Sequence, residues 1–410
     1  MIDNEKLVPN LRFEGFTKTW VSHKVQDIAS KLKVGFVGTC EPYFTAPEKG
    51  ILLVRTGNLK GVNIILDEEK YVTREFHDKN KKSQVFPNDL LLARHGGNGE
   101  ICRVPDNFPV ANCLNIVILR TDETVLSEFF QLAYGTERIQ KQVEAVTAGS
   151  TQTVINTREI GKLELAIPSL PEQRKVADFL AAVDKRIGLL MQKKALLEDY
   201  KKGVMQQLFT QAIRFKDEDG NDFPDWEEKQ LGEVSELVGG LTYSPDDVAE
   251  AGLLVLRSSN IQGGKIVFDD NVFVTTEVNE WNLSRSGDIL ICVRNGSKRL
   301  IGKNAIIPKG CPQSTHGAFM TVLRGNQNQY LFQLLQADIY KRNVHRNLGA
   351  TINSINGSDL KKFKFMFPSK EEQEKIATFL SVNDKKIEAV TTQITETQTF
   401  KRGLLQQMFV

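Results

Sequence analysis

The chain repeats itself at a shift of about 200 residues, and this constrains its folding more than any motif does. Residues 147–209 align without a gap to 347–409, with about a third of positions identical. Earlier stretches match more loosely: Trp20 and VQDIA (25–29) correspond to Trp226 and LGEVS (231–235), and LVRTGNLKG (53–61) to VLRSSNIQGG (255–264). NDLLLARHGGNG (88–99) likewise echoes GDILICVRNGSK (287–298). The 410 residues are therefore two copies of one plan, a globular domain of about 165 residues followed by a helix of about 40, and not a set of unrelated folds. The expected boundaries are 1–168 for the first domain, 169–213 for the central helix, 214–368 for the second domain and 369–410 for the C-terminal helix.

The helices are the most legible elements. Each follows a strand-like apolar stretch (LELAIP, KFKFMFP) and opens on Ser169-x-x-Glu172 or Ser369-x-x-Glu372, the pattern of a capping box. Apolar residues then recur at alternating steps of four and three: Val176, Leu180, Val183, Ile187, Leu190, Leu197, Val204 and Leu208 in the first, with Lys194 and Lys201 interrupting. The second runs Ile376, Leu380, Ile387, Val390, Ile394, Leu404 and Met408, with Asn383, Thr397 and Lys401 at the remaining seam positions. A heptad held this long, polar on its other faces, predicts a coiled-coil seam. Two copies of one unit tend to associate about a twofold axis, so the helices are expected to run antiparallel, with Lys201 facing Asn383. From 176 to 208 such a rod is roughly 48 Å long at ~1.5 Å per residue, a spacer between two heads.

Each head reads as α+β. Short apolar runs bounded by Gly, Asn or Asp (ILLVRT, LLLAR and LNIVILR; LLVLRS, DILICVR and AFMTVLR) predict strands. One amphipathic helix is expected over 127–146 and another over 329–346. The fold class is thus two pseudo-symmetric α+β domains separated by two long antiparallel helices.

Enzymatic chemistry is hard to find. Cys40, Cys102, Cys113, Cys292 and Cys311 form no CxxC pair, and the histidines His23, His77, His95, His316 and His345 have no metal-ligand spacing. Gly296 to Asn304 resembles a phosphate loop, but has one residue too many between its glycines and Asn304 where Ser or Thr should bind Mg²⁺. No GxSxG nucleophile elbow occurs, nor a methyltransferase Asn-Pro-Pro-Tyr. These absences, an N-terminus without an apolar stretch and the lack of a membrane-length run predict a cytoplasmic, non-catalytic chain without metal or cofactor of its own.

Local charge points to binding, although the formal net charge is only +2. Leu290 to Lys303 carries Arg294, Lys298, Arg299 and Lys303 and no acid, and Tyr340 to Arg346 adds Lys341, Arg342 and Arg346. Loops of this kind mix phosphate-directed cations with groups that read base edges. The candidate DNA contacts are Arg55, Asn58, Lys60, Arg94 and His95 in the first domain, and Arg257, Asn260, Gln262, Arg294, Asn295, Lys298 and Arg299 in the second. For Arg55/Arg257 and Asn58/Asn260, present in both copies, a turn-holding or interdomain role stands beside the DNA role.

The opening PxLRFxGFxxxW (Pro9 to Trp20) resembles the specificity subunit of bacterial type I restriction-modification systems. So do the PxxxEQxxxxxFLxxxD helix starts (Pro168 to Asp184, Pro368 to Asp384) and the KxGxxQQxF helix ends. The resemblance covers the whole chain. It implies that each head is a target recognition domain reading one half of a bipartite double-stranded DNA site, with the helices setting the unread gap. It further implies two methyltransferase subunits, which bring S-adenosylmethionine and modify adenines, and two motor-nuclease subunits, which bring ATP and Mg²⁺. The alternative is a coiled-coil protein scaffold without DNA specificity.

Overall fold

A computed structural model describes residues 7–94, 101–147, 156–348 and 353–410. The chain forms two compact units, one of Met1–Leu190 with Thr392–Val410 and one of Met191–Thr391.

In the first unit a four-stranded antiparallel sheet runs in the order Ala29–Val34, Ile116–Thr121, Leu90–Ala93, Ile101–Arg103. A second has the order Tyr71–Val72, Ile51–Arg55, Ala111–Leu114, Gln84–Val85, and its two central strands are parallel. In the second unit a six-stranded sheet runs Glu236–Gly239, Met320–Arg324, Ile289–Cys292, Asn304–Ile306, Lys265–Ile266, Ile261–Gln262. Its companion has the order Val248–Ala249, Phe273–Val274, Leu253–Leu256, Ser314–His316, again with a parallel pair, Leu253–Leu256 against Ser314–His316. The sequence repeat is thus a topological one.

The unbroken apolar runs have a simple cause. Successive side chains of a strand point to opposite faces. Leu90 and Leu92 enter the larger core with Trp20, Phe129 and Phe130, whereas Leu91 and Ala93 enter a second core with Val54 and Cys113. Ile289 and Ile291 are divided from Leu290 and Cys292 in the same way. Both faces are covered, so neither face of the strand can be polar.

Each predicted amphipathic helix is two helices: Ser127–Tyr134 and Glu137–Thr147 in the first unit, Asn328–Gln336 and Asp338–Asn347 in the second. The break follows from packing. Ala337 is extended (φ −72°, ψ 155°), and a bend there lets Leu331, Leu334 and Leu335 share one core with Tyr340 and Val344.

The long helices span Leu170–Phe209 and Lys370–Met408. Every predicted seam position, the interrupting lysines included, is buried or half-buried, while its neighbours away from the globular ends are mostly exposed. Each unit takes one half of each helix. Val176 and Leu180 share a core with Leu404 and Met408 in the first unit, as Ile376 and Leu380 do with Met205 and Leu208 in the second. Low numbers on one helix meet high numbers on the other, so the halves within a unit are antiparallel. Lys401 donates to Asp184 at 2.6 and 2.7 Å in the first unit, and Lys201 to Asp384 at 2.5 Å in the second. The expected Lys201–Asn383 layer is therefore corrected by one residue: a carboxylate satisfies the ammonium better than an amide, and Asn383 donates instead to Phe379 O of its own helix (2.9 Å).

The glutamates of the two capping boxes bind other groups. Glu172 accepts from Arg12 (2.7 and 2.8 Å) and the Trp20 indole (3.1 Å), and Glu372 from Arg214 (3.2 and 2.8 Å) and Trp226 (3.0 Å). The adjoining phenylalanines follow the same plan, with Phe13 edge-on to Phe179 and Phe215 to Phe379. Hydrogen bonding to the glutamate raises the pKa of each arginine above its ordinary value. Each head is locked to a helix start by a charged triad with an aromatic pair beside it.

Candidate nucleic-acid interface

The candidate site is built on strand ends, and a buried aspartate paired with an arginine braces each strand that leads to it. Asp89, fully buried, takes Arg120 in a two-pronged bond (2.6 and 2.9 Å) and the amide of Phe86 (2.8 Å). Asp288 does the same with Arg324 (3.0 and 2.7 Å) and the amide of Arg285 (2.9 Å). Paired and hydrogen-bonded in this way, a buried carboxylate offsets its desolvation. The strands Leu90–Ala93 and Ile289–Cys292 rise from these braces; Arg94 directly follows the first, and Arg294 follows the second after Val293.

Arg55, Asn58, Arg257 and Asn260 form one turn in duplicate. The Asn58 side-chain oxygen accepts from Arg55 N (2.9 Å) while its amide donates to Ile65 O (3.0 Å). Asn260 repeats this with Arg257 N (2.9 Å) and Val267 O (3.0 Å). Both asparagines are buried, so their amides hold the turn and present no edge to a base. Arg55 donates to Glu68 O (2.8 Å), and Arg257 pairs with Asp270 at 2.8 Å. All four residues are thus hydrogen-bonded within the duplicate turn, the arginine side chains remaining about a third exposed at 31% and 33%.

The remaining candidates differ between the units. Lys60 is half-exposed and pairs with Asp67. Arg94 is half-buried, and His95 lies outside the described residues. In the second unit Gln262 is exposed on the outermost strand of the six-stranded sheet. Asn295 shapes the basic loop: its oxygen accepts from Ser297 N (3.0 Å) and its amide donates to Ser258 Oγ (3.1 Å). That second bond ties the loop to the Arg257–Asn260 turn. Arg294, Lys298 and Arg299 are exposed on the loop, and the last two lie in a short 3₁₀ turn, Lys298–Leu300. The loop returns through Gly302, whose φ of +82° suits glycine and where a Cβ would stand 2.9 Å from Val344. Tyr340 Oη donates to Gly302 O (3.2 Å).

Two features of this face went unread in the sequence. The Arg294 guanidinium lies 5.5 Å from the ring centroid of Phe319, which is 57% exposed. The Asp–Arg braces join residues 31 and 36 positions apart. Among the described residues no group of His, Cys, Asp or Glu could hold a metal ion, and no helix is long and apolar enough to cross a membrane.

The family model described as "Type I restriction modification DNA specificity domain" matches twice, over residues 20–199 and 224–398. The chain belongs to this family. Relatives of this specificity family include the type I restriction enzyme MjaVIII specificity subunit of Methanocaldococcus jannaschii, 27% identical over 75% of both chains. The EcoKI specificity subunit of Escherichia coli is 31% identical over 37% of this chain and 34% of its own. Among solved structures, the S subunit of a type I restriction-modification system from M. genitalium superposes with a TM-score of 0.60 at 17% identity, covering 98% of this chain and 99% of that one. A chain solved in work on assembly of the type I R-M system gives 0.59 at 16% identity, over 97% and 99%. The shared fold of specificity subunits is thus the one described above, with mixed helix and sheet heads and long helices.

Proposed function

We propose that this chain reads double-stranded DNA for a type I restriction-modification complex, each unit recognising one half of a bipartite target and the paired helices fixing the gap. One observation carries the reading. The two units keep the same frame, with duplicate turns, duplicate Asp–Arg braces and duplicate glutamate triads, yet differ at the loops that leave it: Arg294, Lys298 and Arg299 in the second unit have no matching basic run in the first. A constant frame with divergent loops is what two readers of different half-sites need.

The chain supplies recognition and no catalysis in this reading. Two methyltransferase subunits would bring S-adenosylmethionine and modify adenines, and two motor-nuclease subunits would bring ATP and Mg²⁺. The modest net charge fits a subunit that takes much of its phosphate grip from those partners. Co-expression with a methyltransferase subunit, followed by genome-wide mapping of methylated adenine, tests it. A split motif that vanishes without this chain is expected. Methylation independent of the chain, or a chain that joins proteins but gives no motif, would favour a scaffold.

A further inference from the structure

We propose that Phe319 is a specificity-determining residue of the second unit that reads the 5-methyl group of a thymine; this rests on the DNA-recognition reading above. Phe319 is the one residue by which the second unit exceeds the first at this point. Cys113 and His316 hold equivalent places, paired with Val54 and Leu256, and so do Ile116 and Met320, paired with Ala93 and Cys292. The first unit crosses between them with Leu114 and Asn115, the second with Gly317, Ala318 and Phe319. The crossing is otherwise preserved: Asn115 N donates to Phe36 O and Ala318 N to Leu241 O, both at 2.9 Å.

The added residue is held in place. Its carbonyl accepts from Val293 N (3.0 Å) and Arg294 N (3.1 Å), so Phe319 and Arg294 leave the backbone from one pinned point. The guanidinium over the ring restrains both side chains. In the major groove only thymine presents a methyl group, which apolar side chains contact, while arginine pairs bidentately with guanine O6 and N7. An exposed ring beside an exposed guanidinium therefore matches a thymine next to a guanine.

The full chain, co-purified with its methyltransferase partner, is used to select a duplex from a random library, and each thymine is then replaced singly by uracil. One thymine should lose about fourfold in affinity, the worth of roughly one buried methyl(ene) group. Phe319→Ala should bind the thymine duplex about fourfold more weakly and stop distinguishing uracil at that position, while Phe319→Leu keeps the distinction. An intact distinction in Phe319→Ala, or no methyl-sensitive thymine in the target, overturns the proposal and leaves DNA recognition standing. Loss of the methyltransferase subunit from Phe319→Ala would overturn it in favour of a protein contact. If the complex selects no sequence, both readings fall together.

Discussion

Arg299 and Asn260 stand for opposite kinds of residue, and their substitutions should separate. Arg299→Ala removes an exposed cation from the basic loop, so affinity for the cognate duplex should fall and the slope of log K against log salt should flatten by about 1; an unchanged slope in a salt titration removes it from the interface. Asn260→Ala leaves backbone groups of a buried turn unpaired and should cost about 1–3 kcal/mol in denaturant unfolding. His316 adds a pH dependence. It is fully buried with one ring nitrogen bonded to Val238 O and the other without a partner, and burial holds its pKa below the ordinary 6.5. The folded state prefers the neutral ring, so this stability is complete above about 6.5 and is lost as pH falls through the lower folded value. The melting temperature should drop more steeply below pH 6.5 in the native chain than in His316→Gln. At this scale the sequence was only half legible. It marked the basic loop, yet the turn-holding bonds of Asn58 and Asn260 and the exposure of Phe319 beside Arg294 emerge only in the fold.

Among the elements, the helices were legible and the links between them were not. A heptad is a local pattern, so the seam could be read residue by residue, including the lysines that break it. The strands could be read as apolar runs because they are covered on both faces. The glutamate triads could not, since Arg12 lies 160 residues from Glu172 and no local period connects them. The facing pair was missed by one position because Lys201 reaches past the seam to a flanking carboxylate. That pair makes a clean test: Lys201→Glu should destabilise the second unit by about 1 kcal/mol, and adding Asp384→Lys should restore most of it. A double-mutant cycle with no coupling would mean that the pair contributes only packing.

The molecule as a whole consists of one continuous unit and one discontinuous unit. The second occupies residues 191–391 without interruption, whereas the first needs residues 392–410 to complete its core. Trp20 and Phe129 pack against Phe409, and Leu404 and Met408 are buried beside Val176 and Leu180. Met408→Ala should therefore cost about 2–5 kcal/mol and lower one melting transition while leaving the other in place, as calorimetry would resolve. The same arrangement reverses the usual order in which a protein is finished on the ribosome. At roughly 5–20 residues per second, the first half waits roughly 10–40 s for its closing segment. The half that is translated later is the one that can close first.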